Sequence, residues 1–278
     1  MAPDRPIFIV APPRCGTSLL YRCLASHPDA GYFNRADRIF PESPRLARWA
    51  TLLGLLRDEP RESRALWFRF IRGRKIDVAG PEDARPEVRD WYERRIAAVL
   101  ALRGKRRFVS KLPAHTAQIP FLDALFPGAL YVQSMRDWRA VVSSTVVKGK
   151  RDFGGGWFGV RLPGWREAAA KPPHLAAAWQ YRAAHELLDA EAPRRPGRFF
   201  RVRYEELVRD PRATLSRLFA GCGLSAGEEA FARLPADIRP AHERWREVLT
   251  PGILADIERE HGDALRRWEY DGAAVPGA

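Results

Sequence analysis

The fold of this chain can be predicted from one short segment, Ile7-Phe-Ile-Val-Ala-Pro-Pro-Arg-Cys-Gly-Thr-Ser-Leu-Leu-Tyr21. A short apolar run, Ile7 to Val10, stops at Pro12-Pro13, and an apolar-periodic segment begins after Gly16. This order predicts a strand, a tight loop and a helix. Such a loop directs successive backbone N–H groups to one spot at the positive end of the helix dipole. The sequence therefore predicts a site for an anion, either a phosphate or its sulfate analogue.

The loop lacks the Gly-x-x-x-x-Gly-Lys-Ser/Thr pattern of nucleoside triphosphatases. Arg14 precedes its only glycine, Gly16, and Thr17-Ser18 follow. We therefore do not expect the anion to be the triphosphate of ATP or GTP. Cys15 lies in this loop, and we expect its backbone N–H to matter more than its sulfur.

Strand and helix patterns alternate along the chain, which predicts an α/β fold with a mostly parallel sheet covered by helices. Further strands are expected at 108–110, 130–134 and 198–203, and helices at 61–104, 119–126 and 173–192. Helix starts are expected at Asp210-Pro211, at a capping box of Ser225 with Glu228, and at Thr250-Pro251. The 278 residues predict one domain, with 31–104 and 146–172 as insertions on the acceptor side of the sheet.

Composition limits the function classes. Apolar residues make up 46% of the chain, enough for a large core, and no apolar run reaches the length of a membrane span. The net charge is +13, but the arginines are spread along the whole chain and no nucleic-acid motif accompanies them. The three cysteines have no paired spacing, and the first strand begins after six residues. These features predict a cytoplasmic protein with reduced thiols.

A second group of residues, Arg136 and Ser144, suggests another anion site. Arg136 leaves a predicted strand, and Ser144 lies eight residues later in the helix that follows. A long arginine side chain and a hydroxyl in the second turn of that helix can reach one anion. Since both follow a strand of the same sheet, we expect this site near the first.

Lys111 and His115 come just after another predicted strand. A lysine there can neutralise charge that develops on a leaving-group oxygen, and a histidine can act as a general base. The alternative is that Lys111 caps a helix or pairs on the surface and that His115 is a loop donor.

Three motifs in this order resemble the sulfotransferases that use 3′-phosphoadenosine 5′-phosphosulfate (PAPS). Pro13 to Ser18 is similar to their 5′-phosphosulfate loop, and Arg136 to Ser144 to their 3′-phosphate motif. Arg203-Tyr-Glu-Glu-Leu207 is similar to the segment whose tyrosine approaches the adenine, and Trp245 to Thr250 lies near the segment that closes over the cofactor. The resemblance runs from about residue 7 to 270.

This resemblance implies a P-loop-like architecture and sulfuryl transfer from PAPS to an acceptor hydroxyl or amine, with no metal. It implies that the cofactor binds Arg14, Cys15, Gly16, Thr17, Ser18, Arg136, Ser144, Tyr204, Trp245 and Arg246. Lys111 would stabilise the leaving oxygen. The acceptor is expected to be a small molecule, a carbohydrate or a lipid, and the sequence indicates neither its identity nor the oligomeric state.

The resemblance does not identify the general base. In cytosolic members a histidine follows the lysine by two positions, where this chain has Pro113, and the region of the tyrosyl-protein members' glutamates reads Asn34-Arg35. Asp37, Glu42 and His115 are the candidates, with His115 preferred. Two other functions stay open, an ATP-dependent small-molecule kinase and a non-catalytic nucleotide-binding module. The missing Walker lysine argues against the kinase.

Overall fold

Five short parallel strands form the central sheet of the computed structural model, which describes residues 5–71, 73, 75–238 and 245–268. They are β1 (Ile7–Val10), β2 (Ala30–Gly31), β3 (Arg107–Lys111), β4 (Leu130–Met135) and β5 (Phe199–Arg203). Their order across the sheet is β2-β3-β1-β4-β5. In the register, Ile7 of β1 lies opposite Val109 of β3 and Leu130 of β4. The predicted α/β class with a parallel sheet is confirmed.

Both faces of the sheet are buried, so successive residues of β1 enter two different cores. Phe8 and Val10 pack in one apolar cluster with Phe108 and Tyr131. Ile7 and Ile9 pack in the other, which includes the first helix. A strand buried on both faces has a continuous apolar sequence rather than an alternating one, which explains the uninterrupted Ile7 to Val10 run.

Helices connect and cover the strands. In chain order they are α1 (Thr17–Ala25), α2 (Arg35–Ile39), α3 (Pro44–Leu52), α4 (Arg64–Trp67), α5 (Pro86–Arg103), α6 (Ile119–Leu125), α7 (Trp138–Phe153), α8 (Trp165–Ala169), α9 (Pro173–Glu191), α10 (Tyr204–Arg209), α11 (Pro211–Cys222), α12 (Glu228–Ala232), α13 (Trp245–Val248) and α14 (Pro251–Leu265).

Two predicted helix starts are confirmed. The Asp210 side chain accepts a hydrogen bond from the Ala213 N–H at 2.9 Å, and Thr250 Oγ1 accepts one from the Ile253 N–H at 3.4 Å. The capping box of Ser225 with Glu228 is wrong, because α12 begins at Glu228 with Gly227 as its N-cap.

The helical prediction over 61–104 is confirmed only for parts of that segment. The segment contains α4, then an irregular stretch, and α5 begins only at Pro86. Gly73 in this stretch has a φ of +78°, and Pro81 and Pro86 each open a new helical turn. The buried carboxylate of Asp77 holds the stretch in place, since it pairs with Arg64 at 3.0 Å and with Arg161 at 2.8 Å.

The carboxyl ends of β1, β3, β4 and β5 meet at one edge of the sheet, because all strands run in the same direction. Ligands of open α/β sheets bind at this edge. A ligand site is therefore expected among the residues that follow these four strands.

Candidate active site

The loop between β1 and α1 is fixed in a backbone shape that favours anion binding. Arg14 has a φ of +74° and Gly16 a φ of +80°. Ser134 Oγ on β4 donates a hydrogen bond of 2.6 Å to the Cys15 carbonyl oxygen and so ties the loop to the next strand. No side chain caps the N-terminus of α1 at Gly16. The first N–H groups of α1 therefore remain available to an anion.

Both the left-handed backbone and the close approach of Tyr204 require a glycine at position 16. A Cβ atom placed on it would lie 2.4 Å from Cδ2 of Tyr204, the first residue of α10. The Tyr204 ring thus packs directly on the loop backbone, and the Arg136 guanidinium lies over the same ring at 4.4 Å from its centroid. The structure brings together the loop, the end of β4 and the end of β5.

Arg136 and Ser144 both contact Arg14. Arg14 Nε donates a hydrogen bond of 2.7 Å to Ser144 Oγ, and an Arg136 terminal N–H donates one of 3.4 Å to the Arg14 carbonyl oxygen. The Tyr181 hydroxyl donates to the Arg136 carbonyl oxygen at 2.9 Å and fixes this residue at the end of β4.

This arrangement concentrates positive charge. Partial burial and the neighbouring guanidinium groups of Arg136 and Arg151 lower the pKa of Arg14. Within the described residues, neither Arg14 nor Arg136 forms an ion pair with a carboxylate. Two neighbouring arginines that form no direct ion pair with a carboxylate are suited to a bound anion.

Lys111 reaches the same loop from β3. Its ammonium lies 3.3 Å from Ser18 Oγ on α1 and forms an ion pair with Glu62. Only 6% of the Lys111 side chain is exposed, whereas 47% of the Glu62 side chain is exposed. Glu62 was not among the predicted site residues. It lies 49 residues before Lys111, in a loop, with no motif around it, so only the fold brings the two together.

A cavity of about 1440 Å³ opens beside Ser18, Lys111 and Glu62. Aromatic side chains line part of its wall, namely Tyr21, Tyr32 and Phe68. Its charged lining is mostly basic: Arg22, Arg35, Arg38, Arg61, Arg64, Lys111 and Arg233, against Glu59 and Glu62. Many of these residues come from the predicted insertion 31–104, and none comes from 146–172.

His115 lies in the core rather than in this cavity. It is fully buried in the 3₁₀ turn after β3, where its ring contacts Phe8 and Trp67. Its ring nitrogens are hydrogen bonded to Ser110 Oγ at 3.1 Å and to Gln118 Oε1 at 3.3 Å. Burial lowers its pKa to about 3, so the ring is neutral and enclosed. These contacts indicate that His115 stabilises the core and does not face the cavity.

The two candidate carboxylates also have other partners. Asp37 is buried, forms ion pairs with Arg95 at 3.0 Å and Arg103 at 2.7 Å, and accepts a hydrogen bond from the Asn34 N–H. Glu42 forms an ion pair with Arg69 at 2.5 Å. Neither residue lines the cavity.

The remaining predicted residues lie beside the loop or behind it. Cys15 is fully buried, and burial raises the pKa of its thiol, so its backbone is the part open to a ligand. Thr17 begins α1 and is buried. Trp245 and Arg246 form part of α13, where the Arg139 guanidinium of α7 lies 5.2 Å from the Trp245 ring centroid and the Arg246 guanidinium 4.5 Å from it.

Neither a metal-ligand cluster nor a membrane-spanning helix is found among the described residues. Among the described residues, no group of three or more histidine, cysteine or carboxylate side chains is arranged to hold a metal ion. The described helices also include none that is both long enough and apolar enough to span a bilayer.

Comparisons with known proteins agree with this geometry. A family model described as "Sulfotransferase family" matches residues 6–228. The chain is 25% identical over 307 aligned positions to the omega-hydroxy-beta-dihydromenaquinone-9 sulfotransferase Stf3 of Mycobacterium tuberculosis, covering 96% of this chain and 76% of that protein. It is 26% identical to the nodulation protein NoeE of Sinorhizobium fredii, over 81% of this chain and 51% of NoeE.

Solved structures show the same fold. Sulfotransferase STF9 from Mycobacterium avium superposes with a TM-score of 0.62 at 18% identity, covering 96% of this chain and 78% of STF9. Sulfotransferase STF1 from Mycobacterium tuberculosis superposes with a TM-score of 0.56 at 19% identity, covering 90% of this chain and 77% of STF1.

Proposed function

Because the chain belongs to the sulfotransferase family, we propose that it transfers the sulfuryl group of PAPS to a hydroxyl group of a lipid or other small-molecule acceptor bound in the cavity. One observation carries the proposal. The anion-binding loop, the Arg14–Arg136–Ser144 group and the Lys111–Glu62 pair meet at one edge of the sheet, next to a cavity that can hold an acceptor.

The residues present fit the donor nucleotide. The N–H groups of residues 15–18 and the Arg14 side chain would hold its 5′-phosphosulfate, and Arg136 with Ser144 would hold its 3′-phosphate. Tyr204 would pack on the adenine. The proximity of the Arg14 and Arg136 guanidinium groups and the close approach of Tyr204 to Gly16 support this assignment.

When bound, PAPS supplies a sulfuryl group whose sulfur–oxygen bond to the phosphate breaks as the acceptor oxygen attacks. Lys111 holds a positive charge beside Ser18, at the loop that would carry the phosphate, and so stabilises the charge on the departing oxygen. As in phosphoryl transfer, the protein contributes mainly positioning and electrostatic stabilisation.

We assign the general base to Glu62 rather than to His115, Asp37 or Glu42. Glu62 lines the cavity and forms an ion pair with Lys111, which in turn lies beside Ser18 of the loop. A carboxylate in that position can accept the proton of the attacking hydroxyl. The other three candidates lie outside the cavity wall.

The size and lining of the cavity support an acceptor with an apolar part. Drug-sized ligands occupy pockets of roughly 300–1,000 Å³, and this cavity is larger. Tyr21, Tyr32 and Phe68 offer aromatic surface. The relative Stf3 is named for a hydroxylated menaquinone. The volume of the cavity and the aromatic residues in its wall are consistent with a lipid hydroxyl as the acceptor of this chain as well.

Calorimetric titration tests the donor. We expect adenosine 3′,5′-bisphosphate to bind without magnesium and far more tightly than AMP, because only the former has a 3′-phosphate for Arg136 and Ser144. Preference for ATP with magnesium would favour the kinase. Binding without turnover on any acceptor screened would favour the non-catalytic nucleotide-binding module.

Replacing Glu62 tests the base. Since a general base contributes about 10²–10⁴-fold to a rate, we expect Glu62→Gln to lower kcat by that order while adenosine 3′,5′-bisphosphate binds as before. Glu59→Gln is the matched control, because Glu59 lines the same cavity but pairs with Arg61 and Arg57. Equal effects of the two substitutions on kcat would remove the assignment of Glu62.

A further inference from the structure

A group of large apolar side chains lies on the outside of the molecule, on α2, on α3 and in the turn after α3. We call it the α3 surface, and its members are exposed between 46% and 71%: Ile39, Leu46, Trp49, Leu52, Leu53 and Leu55. Monomeric proteins seldom expose contiguous apolar side chains of this size without a binding partner.

The way α3 packs is the reverse of an ordinary surface helix. Its buried residues are the small Ala47 and Ala50, which contact Ala36 of α2. Leu46, Trp49 and Leu53 recur at spacings of three and four and so share the outer face. A surface helix normally turns its largest apolar residues to the core. The outer face of α3 therefore has the composition of a contact surface.

Positive charge surrounds the α3 surface. Arg35, Arg38, Arg45 and Arg48 form no ion pair within the part of the chain that the structure describes. The nearby carboxylates of Asp37 and Glu42 are already paired with Arg95, Arg103 and Arg69. The arginines are thus an uncompensated basic fringe around an apolar centre.

We infer that the α3 surface docks on an anionic lipid bilayer, with Trp49 and the leucines entering the interface and the arginines contacting lipid headgroups. An apolar helix face with tryptophan and leucine, flanked by arginines, has the pattern of an interfacial helix. Two copies of this chain would bring their basic fringes together, and the repulsion disfavours self-association through the same surface.

The α3 surface is continuous with the cavity through α2. Arg35 and Arg38 line the cavity wall, and Ile39, the next residue, belongs to the α3 surface. A docked molecule therefore presents its cavity close to the bilayer, which would let a lipid acceptor enter without crossing water. This consequence rests on the proposed function, whereas the docking itself does not.

Sedimentation with lipid vesicles tests the docking. We expect the protein to bind phosphatidylcholine vesicles that contain phosphatidylglycerol and to bind phosphatidylcholine alone much more weakly. Trp49→Glu with Leu53→Glu should lower the affinity by about tenfold or more, since both residues would lose the interface. Arg45→Gln and Arg48→Gln should each lower it roughly fivefold, the equivalent of about 1 kcal/mol per arginine. Adenosine 3′,5′-bisphosphate binding should stay unchanged in all of them.

The control for Trp49→Glu with Leu53→Glu introduces two glutamates at exposed apolar positions outside the α3 surface. Leu102 on α5 and Val147 on α7 are exposed to 36% and 48%, and Leu102→Glu with Val147→Glu should leave vesicle binding unchanged. Equal loss in both double variants, or vesicle binding that depends on neither phosphatidylglycerol nor Trp49, would overturn the inference.

A fluorescent dye attached at one position of the α3 surface tests the docking without relying on the folding of the double variants. Cys15, Cys23 and Cys222 are all buried, so a thiol-reactive, polarity-sensitive dye should label Leu53→Cys selectively. A blue shift of its emission on anionic vesicles is expected. If the emission does not shift, the α3 surface does not dock on a bilayer. If analytical ultracentrifugation shows a dimer that Trp49→Glu with Leu53→Glu dissociates, the α3 surface binds a second copy of the chain instead.

Discussion

At the scale of single residues, the site depends on backbone shape as much as on side chains. Arg14 holds a left-handed φ of +74°, a conformation that costs free energy for any residue with a side chain. Its side chain is held by Ser144 and its carbonyl oxygen by Arg136. The contacts that maintain the strained loop thus come from the two residues proposed to bind the 3′-phosphate.

Replacing Arg136 tests whether it binds the 3′-phosphate or only maintains the shape of the site. We expect Arg136→Ala to weaken adenosine 3′,5′-bisphosphate binding by roughly 2–5 kcal/mol, the range for removing one member of a buried charge pair. AMP binding should fall far less, because AMP has no 3′-phosphate. Calorimetry on both nucleotides measures the difference.

The control for this change is Arg217→Ala on α11, because Arg217 is 66% exposed and pairs with Glu206 at the surface. It should leave both affinities unchanged. If Arg136→Ala weakened the two nucleotides equally, the proposed 3′-phosphate contact would be wrong.

Among the strands and helices, the sequence predicts correctly those whose formation depends on neighbouring residues. The β1 run is apolar throughout because both its faces are buried, and Asp210-Pro211 starts a helix because aspartate caps the backbone that follows. The helical prediction over 61–104 fails between α4 and α5 because Asp77 there pairs with Arg161, which lies 84 residues further along the chain, as well as with Arg64 of α4. Glu62 could not be predicted from a local pattern either, because its contact with Lys111 spans 49 residues.

The Asp210 cap gives a measurable contribution to stability. We expect Asp210→Ala to lower the free energy of unfolding by about 1 kcal/mol, since α11 would lose its capping acceptor for the Ala213 N–H. Asp210→Asn, which retains a capping oxygen, should change it by only a few tenths of a kcal/mol. Urea denaturation measures both variants, and an equal loss in the two would point to the charge of Asp210 rather than to capping.

At the scale of the whole molecule, buried neutral histidines link stability to pH. Burial lowers the pKa of His115 and of His185 to about 3, whereas both return to about 6.5 in the unfolded chain. Between these values the unfolded state binds more protons, so the free energy of unfolding rises with pH. Acidification from pH 6.5 toward 3 should therefore destabilise the fold, by about 1.4 kcal/mol per pH unit for each histidine.

Urea unfolding of the wild type and of His115→Gln between pH 7 and 4 tests this linkage. Glutamine keeps hydrogen-bonding groups for Ser110 and Gln118 but does not titrate, so the variant should lose less stability per pH unit than the wild type. Parallel pH profiles would show that His115 is already protonated in the folded protein or does not titrate in the unfolded one.

The strand order has a further consequence for how the chain is made. β1 is synthesised first, yet it occupies the middle of the sheet, and its neighbours β3 and β4 begin only at Arg107 and Leu130. Arg107, the start of the first partner strand, lies 97 residues after Val10, so the apolar Ile7–Val10 segment leaves the ribosome well before either partner strand does. The nascent chain therefore carries an unpaired apolar segment until β3 and β4 have been synthesised, and the loop between β1 and α1 takes its final shape only after Tyr204, which packs on Gly16, has left the ribosome.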